Sequence, residues 1–207
     1  MEELGLVRAM SIASLTGAVA FGLSGFLAGS RRNLDVMGLF ILSFLTANGG
    51  GILRDLLINR APIAVLSNEP FLLAAVVTLI GSLTKRQWRT TLESQWLFVV
   101  CDAAGLVAFS ITGALIAIEI NAPFFGFLAL AFLTAAGGAI LRDLLINNIP
   151  EVLYGGFYGT IAILMAAVIY VLHQNMWLSP LSLSIASGSA MIMRLIAYRY
   201  DWKLPKL

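Results

Sequence analysis

The sequence predicts an all-α membrane protein of seven transmembrane helices, built as two inverted three-helix repeats plus a seventh helix. The first observation is composition: 59% of the 207 residues are hydrophobic and 12% are charged, against about 25% charged in an ordinary soluble domain. The second is a series of apolar segments, most of them near the roughly 20 residues that cross a bilayer. The third is an internal repeat at a spacing of 88 residues.

Seven apolar segments give the predicted helices in chain order. They are Leu4–Ala28, Leu34–Ile58, Phe71–Leu83, Trp96–Ile118, Phe124–Ile146, Val152–Leu172 and Leu178–Tyr198. The third segment is short, and its start could extend back to Val65 or Leu66. We do not expect the first to be a cleaved signal peptide, because Glu2 and Glu3 stand where such a signal carries positive charge.

The internal repeat is clearest in the second and fifth segments. Thr46–Pro62 matches Thr134–Pro150 at 13 of 17 positions without a gap. We therefore predict a single transmembrane domain over 1–207, with repeat 1 at 4–84, repeat 2 at 92–172 and the seventh helix at 178–199. Because each unit has three helices, the second unit enters the membrane from the opposite side. The two repeats are then related by an axis in the membrane plane.

Basic residues between the segments predict the orientation of the bundle. Eight of them follow segments one, three and seven: Arg31, Arg32, Lys85, Arg86, Arg89, Arg199, Lys203 and Lys206. The opposite side carries only Arg8 and Arg60. By the positive-inside rule we expect the N-terminus outside and the C-terminus in the cytoplasm. Aromatic residues at the segment ends are typical interfacial anchors; they are Trp88, Trp96, Trp177, Tyr198, Tyr200 and Trp202.

Each repeat has a glycine run and an Arg-Asp pair inside an apolar segment. The residues are Gly49, Gly50, Gly51, Arg54 and Asp55 in the first repeat, and Gly137, Gly138, Arg142 and Asp143 in the second. At about 1.5 Å per residue, the first run lies near the midplane of a roughly 30 Å core. Glycine weakens a helix by about 1 kcal/mol relative to Ala. We therefore predict two interrupted, kinked helices that cross at the midplane, with one charged pair above and one below.

Simpler interpretations of these residues stay open. Small residues also let membrane helices pack closely, and each Arg could hold its own Asp neighbour or cap helix carbonyls. A charge inside the membrane costs several kcal/mol unless it is paired or hydrated, which favours a functional role. Adjacent residues project about 100° apart on a helix. We therefore expect one member of each pair to line a pathway and the other to brace the fold.

Four further polar residues are candidates for an ion pathway: Thr46, Asn48, Asp102 and Thr134. The threonines precede the glycine runs by one turn and could offer hydroxyls to an ion, or bond back to their own helix carbonyls. Asn48 has Ala136 as its counterpart and Asp102 has Ser14, so the two halves need not be equivalent. Asp102 suits either a cation site or an acid at the membrane interface.

The composition gives no indication of a cofactor, a metal site or an enzyme. Cys101 and His173 are each the sole residue of their type, which excludes a disulfide framework and a thiolate metal site. A lipid-modifying enzyme would need clustered acids, whereas Asp55, Asp102 and Asp143 are spread along the chain. The net charge of +2 is too small to indicate nucleic acid as a partner.

The motif GGGxxRD in the second segment, echoed as GGxxxRD in the fifth, resembles the TRIC family of trimeric intracellular cation channels. The similarity is to its short prokaryotic branch, also labelled as a glycine transporter domain family, and covers roughly Leu6 to Tyr198. It implies a homotrimer among membrane lipids in a prokaryotic plasma (inner) membrane. Each protomer would enclose a pore for potassium, and also sodium, lined by the second and fifth helices at the glycine runs and Arg-Asp pairs.

Cation selectivity is expected from this resemblance, since two arginines in a pore would by themselves favour anions. The alternative is a secondary transporter or exporter of a small zwitterion such as glycine. A channel needs weak, multiple sites along a continuous wet path, whereas a carrier closes alternately around one midplane site. The sequence is compatible with both.

Overall fold

The computed structural model describes residues 2–84, 92–154 and 157–205. Within those ranges the chain is all-α and has no strand. Its helices are α1 (Glu2–Arg31), α2 (Val36–Leu57), α3 (Ile63–Leu66), α4 (Glu69–Leu83), α5 (Leu92–Glu119), α6 (Phe124–Leu145), α7 (Glu151–Tyr154), α8 (Tyr158–Gln174) and α9 (Pro180–Arg199). The predicted all-α class is confirmed. Lys85, Arg86, Trp88, Arg89 and Lys206, which contribute to the predicted orientation, lie outside the described residues.

Among the described residues, five helices are long and apolar enough to cross a membrane: α1, α2, α5, α6 and α9. The apolar helices α4 and α8 are shorter, at 15 and 17 residues, so the count of seven crossings stays a prediction. Large apolar side chains point outward from the bundle, among them Leu57, Leu83 and Phe125, each more than 70% exposed. An apolar outer surface of this extent is typical of a protein surrounded by lipid.

Two predicted segments have different limits in the structure. The sixth was expected as one helix over Val152–Leu172, but it consists of the short α7 followed by α8. Likewise Val65 and Leu66 belong to α3 and do not begin α4. Proline explains both short helices, since Pro62 precedes α3 and Pro150 precedes α7. Proline lacks a backbone N–H and is accommodated where a helix starts.

In the part of the chain that the structure describes, six helices end in the same way. A non-glycine residue with positive φ follows each of them: Asn33, Asn59, Asn121, Asn147, Met176 and Asp201. The next N–H then donates to the carbonyl five residues back, as from Arg60 to Asp55 and from Asn148 to Asp143, both at 2.8 Å. This Schellman arrangement satisfies carbonyls at a helix end. It also places the end of α2 and of α6 directly after the Arg-Asp pair.

The core lies where α1 packs on α5 and α2 packs on α6. Phe21 of α1 is fully buried, and its ring centroid is 5.4 Å from that of Phe109 of α5. On α6, Ala131 and Ala135 have no exposed surface. Small side chains at these positions bring the helix backbones close together, and dispersion contacts between the helices increase accordingly.

Candidate functional site

The backbones of α2 and α6 touch at their glycines. A Cβ built on Gly50 would lie 2.2 Å from the carbonyl oxygen of Thr134, and one on Gly138 would lie 2.1 Å from that of Thr46. Both distances are too short for any side chain, so only glycine permits this crossing. The contacts pair the early part of each helix with the later part of the other. The two helices are therefore antiparallel where they cross.

The glycines do not interrupt their helices. Both α2 and α6 are continuous from end to end, so the predicted interruption of the two helices is wrong. The sequence analysis kept close helix packing open as the simpler interpretation of the glycines, and the structure shows such a close approach. Gly51 differs from its neighbours, since a Cβ there would meet only Arg54 Nη2, at 3.6 Å. Ala139 fills the equivalent place on α6, because packing does not require a third glycine.

Thr46 and Thr134, which occupy equivalent positions in the two repeats, each lie between glycines of two neighbouring helices. A Cβ on Gly25 of α1 would lie 2.6 Å from Thr46 Oγ1, and one on Gly113 of α5 would lie 2.7 Å from Thr134 Oγ1. Both hydroxyls donate back along their own helix, to the carbonyls of residues 42 and 130, at 2.6 Å. The side-chain amide of Asn48 likewise donates to its helix carbonyl four residues back, at 2.9 Å.

Arg54 and Asp55 form an ion pair with each other. Arg54 Nε and Nη2 both donate to Asp55 Oδ1, at 2.9 and 2.8 Å. The two residues are 5% and 2% exposed. This is the arrangement in which an arginine holds its own acidic neighbour. Pairing of this kind offsets much of the cost of placing two charges inside the bundle.

Arg142 has a richer set of partners, which we call the Arg142 cluster: Ser24, Asp102, Arg142 and Asp143. Arg142 Nε donates to Asp143 Oδ1 at 2.9 Å, and its Nη1 donates to Ser24 Oγ at 2.6 Å and to Asp102 Oδ1. Its guanidinium also lies 4.8 Å from the ring centroid of Phe98, in a cation–π contact. Three helices, α1, α5 and α6, thus meet at one buried guanidinium.

The two charged sites differ in formal charge. The Arg54 pair is neutral, whereas one guanidinium and two carboxylates give the Arg142 cluster a formal charge of −1. The difference comes from Asp102, whose repeat position holds Ser14. Asp102 is 1% exposed, and its Oδ2 has no hydrogen-bond partner. The sequence left Asp102 open between a cation site and an interfacial acid; its side chain lies inside the bundle, on Arg142.

A second ion pair extends the Arg142 cluster toward α9. Asp143 Oδ2 accepts a hydrogen bond from the backbone N–H of Glu151 at 3.2 Å, and the Glu151 carboxylate pairs with Arg194. Sequence reasoning missed Ser24, Phe98, Glu151 and Arg194. A signal existed for Arg194, because it is a charged residue inside the predicted seventh segment, where charge is costly. No pattern in the sequence indicated Ser24 or Phe98.

Two cavities open beside the Arg142 cluster. Their volumes are about 190 and 570 Å³. The smaller is lined in part by Arg142 and Asp143, the larger by Arg194, and both are lined by Phe98 and Glu151. The charged residues therefore border space that can hold water, which lowers the cost of their charge. Among the described residues, no group of three His, Cys, Asp or Glu side chains could hold a metal ion.

Comparison with known proteins identifies the family. The family model described as glycine transporter matches residues 11–85 and 99–174. The chain belongs to this glycine transporter family. A relative, the UPF0126 membrane protein YvgT of Bacillus subtilis, is 32% identical over 204 residues, which is 95% of this chain and 96% of that protein. The UPF0126 inner membrane protein YadS of Escherichia coli is 29% identical, over 92% of both chains.

Solved structures show the same fold for this glycine transporter family member. A prokaryotic TRIC channel crystallised in 0.5 M KCl has a TM-score of 0.87 and 27% identity, over 96% of this chain and all of the other. The TRIC orthologue from Rhodobacter sphaeroides has a TM-score of 0.85 and 28% identity, over 92% of this chain and 97% of the other. The resemblance to TRIC channels is confirmed. The matched proteins are membrane proteins and channels, so the chain is an integral membrane protein and not an enzyme.

Proposed function

We propose that this protein is a channel for monovalent cations, potassium and also sodium, with one pore in each protomer of a homotrimer. The observation that carries the proposal is the TM-score of 0.87 with a prokaryotic TRIC channel over 96% of the chain. Another of the matched structures, with a TM-score of 0.83, concerns conductance through TRIC cation channels. Likeness over nearly the whole chain is stronger support than a shared motif, because it includes every helix that surrounds the glycine crossing.

The proposed pore follows the crossing of α2 and α6. Gly49, Gly50, Gly51, Gly137 and Gly138 form its narrow part, where the two backbones touch. The Arg54–Asp55 pair lies toward one end, and the Arg142–Asp143 pair lies toward the other. Because the backbones are already in contact at the glycines, a small separation of the two helices would open a path. A bend of the helices at these residues remains part of the proposal.

The overall arrangement in the membrane belongs to the same proposal. It has seven crossings, two inverted repeats at 4–84 and 92–172, and the seventh helix at 178–199. The N-terminus is outside and the C-terminus is in the cytoplasm of a prokaryotic cell, in its inner membrane among lipids. Paired contacts at the 88-residue spacing support the inverted repeats, since Thr46 meets Gly138 as Thr134 meets Gly50.

Cation preference is supported by the acids of the Arg142 cluster. Within the cluster Asp102 and Asp143 outnumber the one arginine, and their charge offsets part of the positive charge that Arg31 and Arg32 bring to the same cavity. Both members of the pair line the smaller cavity, but Asp143 is 7% exposed and Arg142 only 1%, so we assign Asp143 to the pathway and Arg142 to the brace. Thr46, Asn48 and Thr134 remain proposed pathway residues, because a hydroxyl or amide oxygen can accept an ion while its hydrogen bonds back to the helix.

The test is a planar bilayer recording of the purified protein under a potassium chloride gradient. Discrete openings that reverse near the potassium equilibrium potential are expected. Bilayers treated with detergent alone are the control, and Gly138→Leu, which must push the two helices apart, should give openings of altered conductance. A silent bilayer with protein present, together with saturable uptake of glycine into vesicles, would contradict the channel and favour the carrier.

A further inference from the structure

We propose that Arg194 of α9 is a positioning residue that holds Asp143 in place through Glu151, and so sets ion preference at one end of the pore only. The inference rests on the proposed channel function. It assigns a role to α9, the proposed seventh transmembrane helix, which has no counterpart in either repeat. It also names a residue outside the glycine crossing of α2 and α6.

The contacts form a continuous series from α9 to the Arg142 cluster. The Arg194 guanidinium pairs with the Glu151 carboxylate. The backbone N–H of Glu151 donates to Asp143 Oδ2 at 3.2 Å, and Asp143 Oδ1 accepts from Arg142 Nε at 2.9 Å. Both oxygens of Asp143 are therefore held, one by the start of α7 and the other by Arg142. A carboxylate fixed at both oxygens cannot rotate without losing a hydrogen bond.

The Arg194–Glu151 pair joins a buried guanidinium to a carboxylate whose side chain is 25% exposed. Arg194 is 3% exposed, its guanidinium lies 4.7 Å from the ring centroid of Tyr158, and its Nε has no partner. Among the described residues, Glu151 is the carboxylate that pairs with Arg194. Removing the Glu151 carboxylate would leave the buried Arg194 guanidinium uncompensated. Glu151 consequently anchors the four-residue helix α7, which follows Pro150 and has little packing of its own.

Repeat 1 has the Arg-Asp pair and a short helix after a proline, but it lacks the acid that pairs with Arg194. The position equivalent to Glu151 is Ile63, which cannot pair with an arginine. Arg54 and Asp55 hold each other without help from a third element. Loss of the Arg194–Glu151 pair should therefore release Asp143 while leaving Asp55 in place. Only one end of the pore would change.

The experiment measures the K⁺/Cl⁻ permeability ratio from reversal potentials in four proteins. They are the wild type, the charge-balanced variant Glu151→Gln with Arg194→Met, Asp143→Asn, and the combination of all three changes. The double variant removes the ion pair without altering net charge. We expect it to lower the ratio at least about twofold, the low end of coupling within one hydrogen-bond network. In the Asp143→Asn background the same two changes should have no further effect.

Three comparisons make the outcome decisive. Arg194→Lys keeps the positive charge at this position and should leave the permeability ratio at its wild-type value. The matched control is Glu119→Gln with Arg60→Met, because that pair is exposed, spans 3.6 Å and lies on other elements; it should change nothing. If the double variant fails to assemble, Glu151→Asp shortens the acid while preserving its charge. It should lower the ratio in the wild-type background and not in the Asp143→Asn background.

Two results would overturn the inference while the wild type conducts: an unchanged ratio in the variants that break the pair, or an equal shift in the Asp143→Asn background. Either result leaves the channel proposal intact. A silent wild type would instead overturn the channel proposal and this inference together.

Discussion

The carbonyl oxygen of Thr46 lies 2.1 Å from the point where a Cβ on Gly138 would stand. Thr134 has the same relation to Gly50, at 2.2 Å. A threonine carbonyl of each helix is thus covered by a glycine of the other. The two helices cannot approach more closely, and any larger residue at either glycine must push them apart.

Alanine at these glycines should therefore destabilise the protein. Gly50→Ala and Gly138→Ala would each press a methyl group into a backbone carbonyl, and we expect a cost of about 1–3 kcal/mol, as for overpacking in a core. The measurement is thermal unfolding in detergent, followed by the recovery of assembled oligomer. Gly51→Ala is the matched control, since its nearest neighbour is a flexible arginine end at 3.6 Å. Equal losses in all three variants would contradict the close-contact explanation.

The two arginines of the repeated motif should differ in their importance. Arg142→Met leaves the carboxylates of Asp102 and Asp143 without their cation, and loss of one partner from a buried pair costs about 3–5 kcal/mol. Arg54→Met leaves only Asp55, close to the end of its helix. We expect a clearly lower melting temperature for Arg142→Met than for Arg54→Met. Similar melting temperatures would mean that Asp102 contributes little to the Arg142 cluster.

Asp102 should contribute to cation preference more than its exposure suggests. Asp102→Asn removes the acid that gives the Arg142 cluster its formal charge of −1, so the K⁺/Cl⁻ permeability ratio should fall severalfold. The negative charge of Asp102 acts over several ångströms in a site of low dielectric constant, so Asp102 need not contact the ion. Asp35→Asn is the control, because Asp35 caps α2 through a side-chain oxygen that asparagine also supplies. An unaltered ratio in Asp102→Asn would make the acid purely structural.

Asn147 should tolerate glycine better than alanine. Its φ is +56°, a conformation that costs a residue with a Cβ about 1 kcal/mol or more, and asparagine less than most. Asn147→Ala should lower stability by about that amount, whereas Asn147→Gly should be nearly neutral. Thermal unfolding of the two variants side by side decides the point. A more stable alanine variant would contradict the role assigned to this cap.

Much of the fold could be predicted from hydropathy and the repeat. The predicted limits of the second, fourth, fifth and seventh segments come within a few residues of α2, α5, α6 and α9, because apolar length and flanking Asn, Pro and charge mark helix ends directly. The split at α3 and α7 was missed. A single helical turn after a proline is too short to show a period, so it merged with the apolar run that follows.

The site was predictable only in part. The repeat located Arg142 and Asp143 because identical residues recur in an apolar setting. Partnership across the bundle could not be predicted, since Ser24 lies 118 residues before Arg142. The repeat located the glycines, but the sequence left their role open between interrupted helices and close packing. Helix propensity describes a residue in isolation. The effect of these glycines depends instead on their contact with a carbonyl of another helix, and tertiary packing determines that contact.

The pairing of Ser24 with Arg142 has a consequence for biosynthesis. The hairpin of α1 and α2 is made first, and its small-residue face has no partner until α5 and α6 emerge from the ribosome. During that interval Ser24 and Gly50 lack the contacts that they make with Arg142 and Thr134 in the complete fold. Premature release of the first hairpin would offer the same face to a second nascent chain. We therefore expect truncated products that end before α5 to be the form most prone to degradation by membrane proteases.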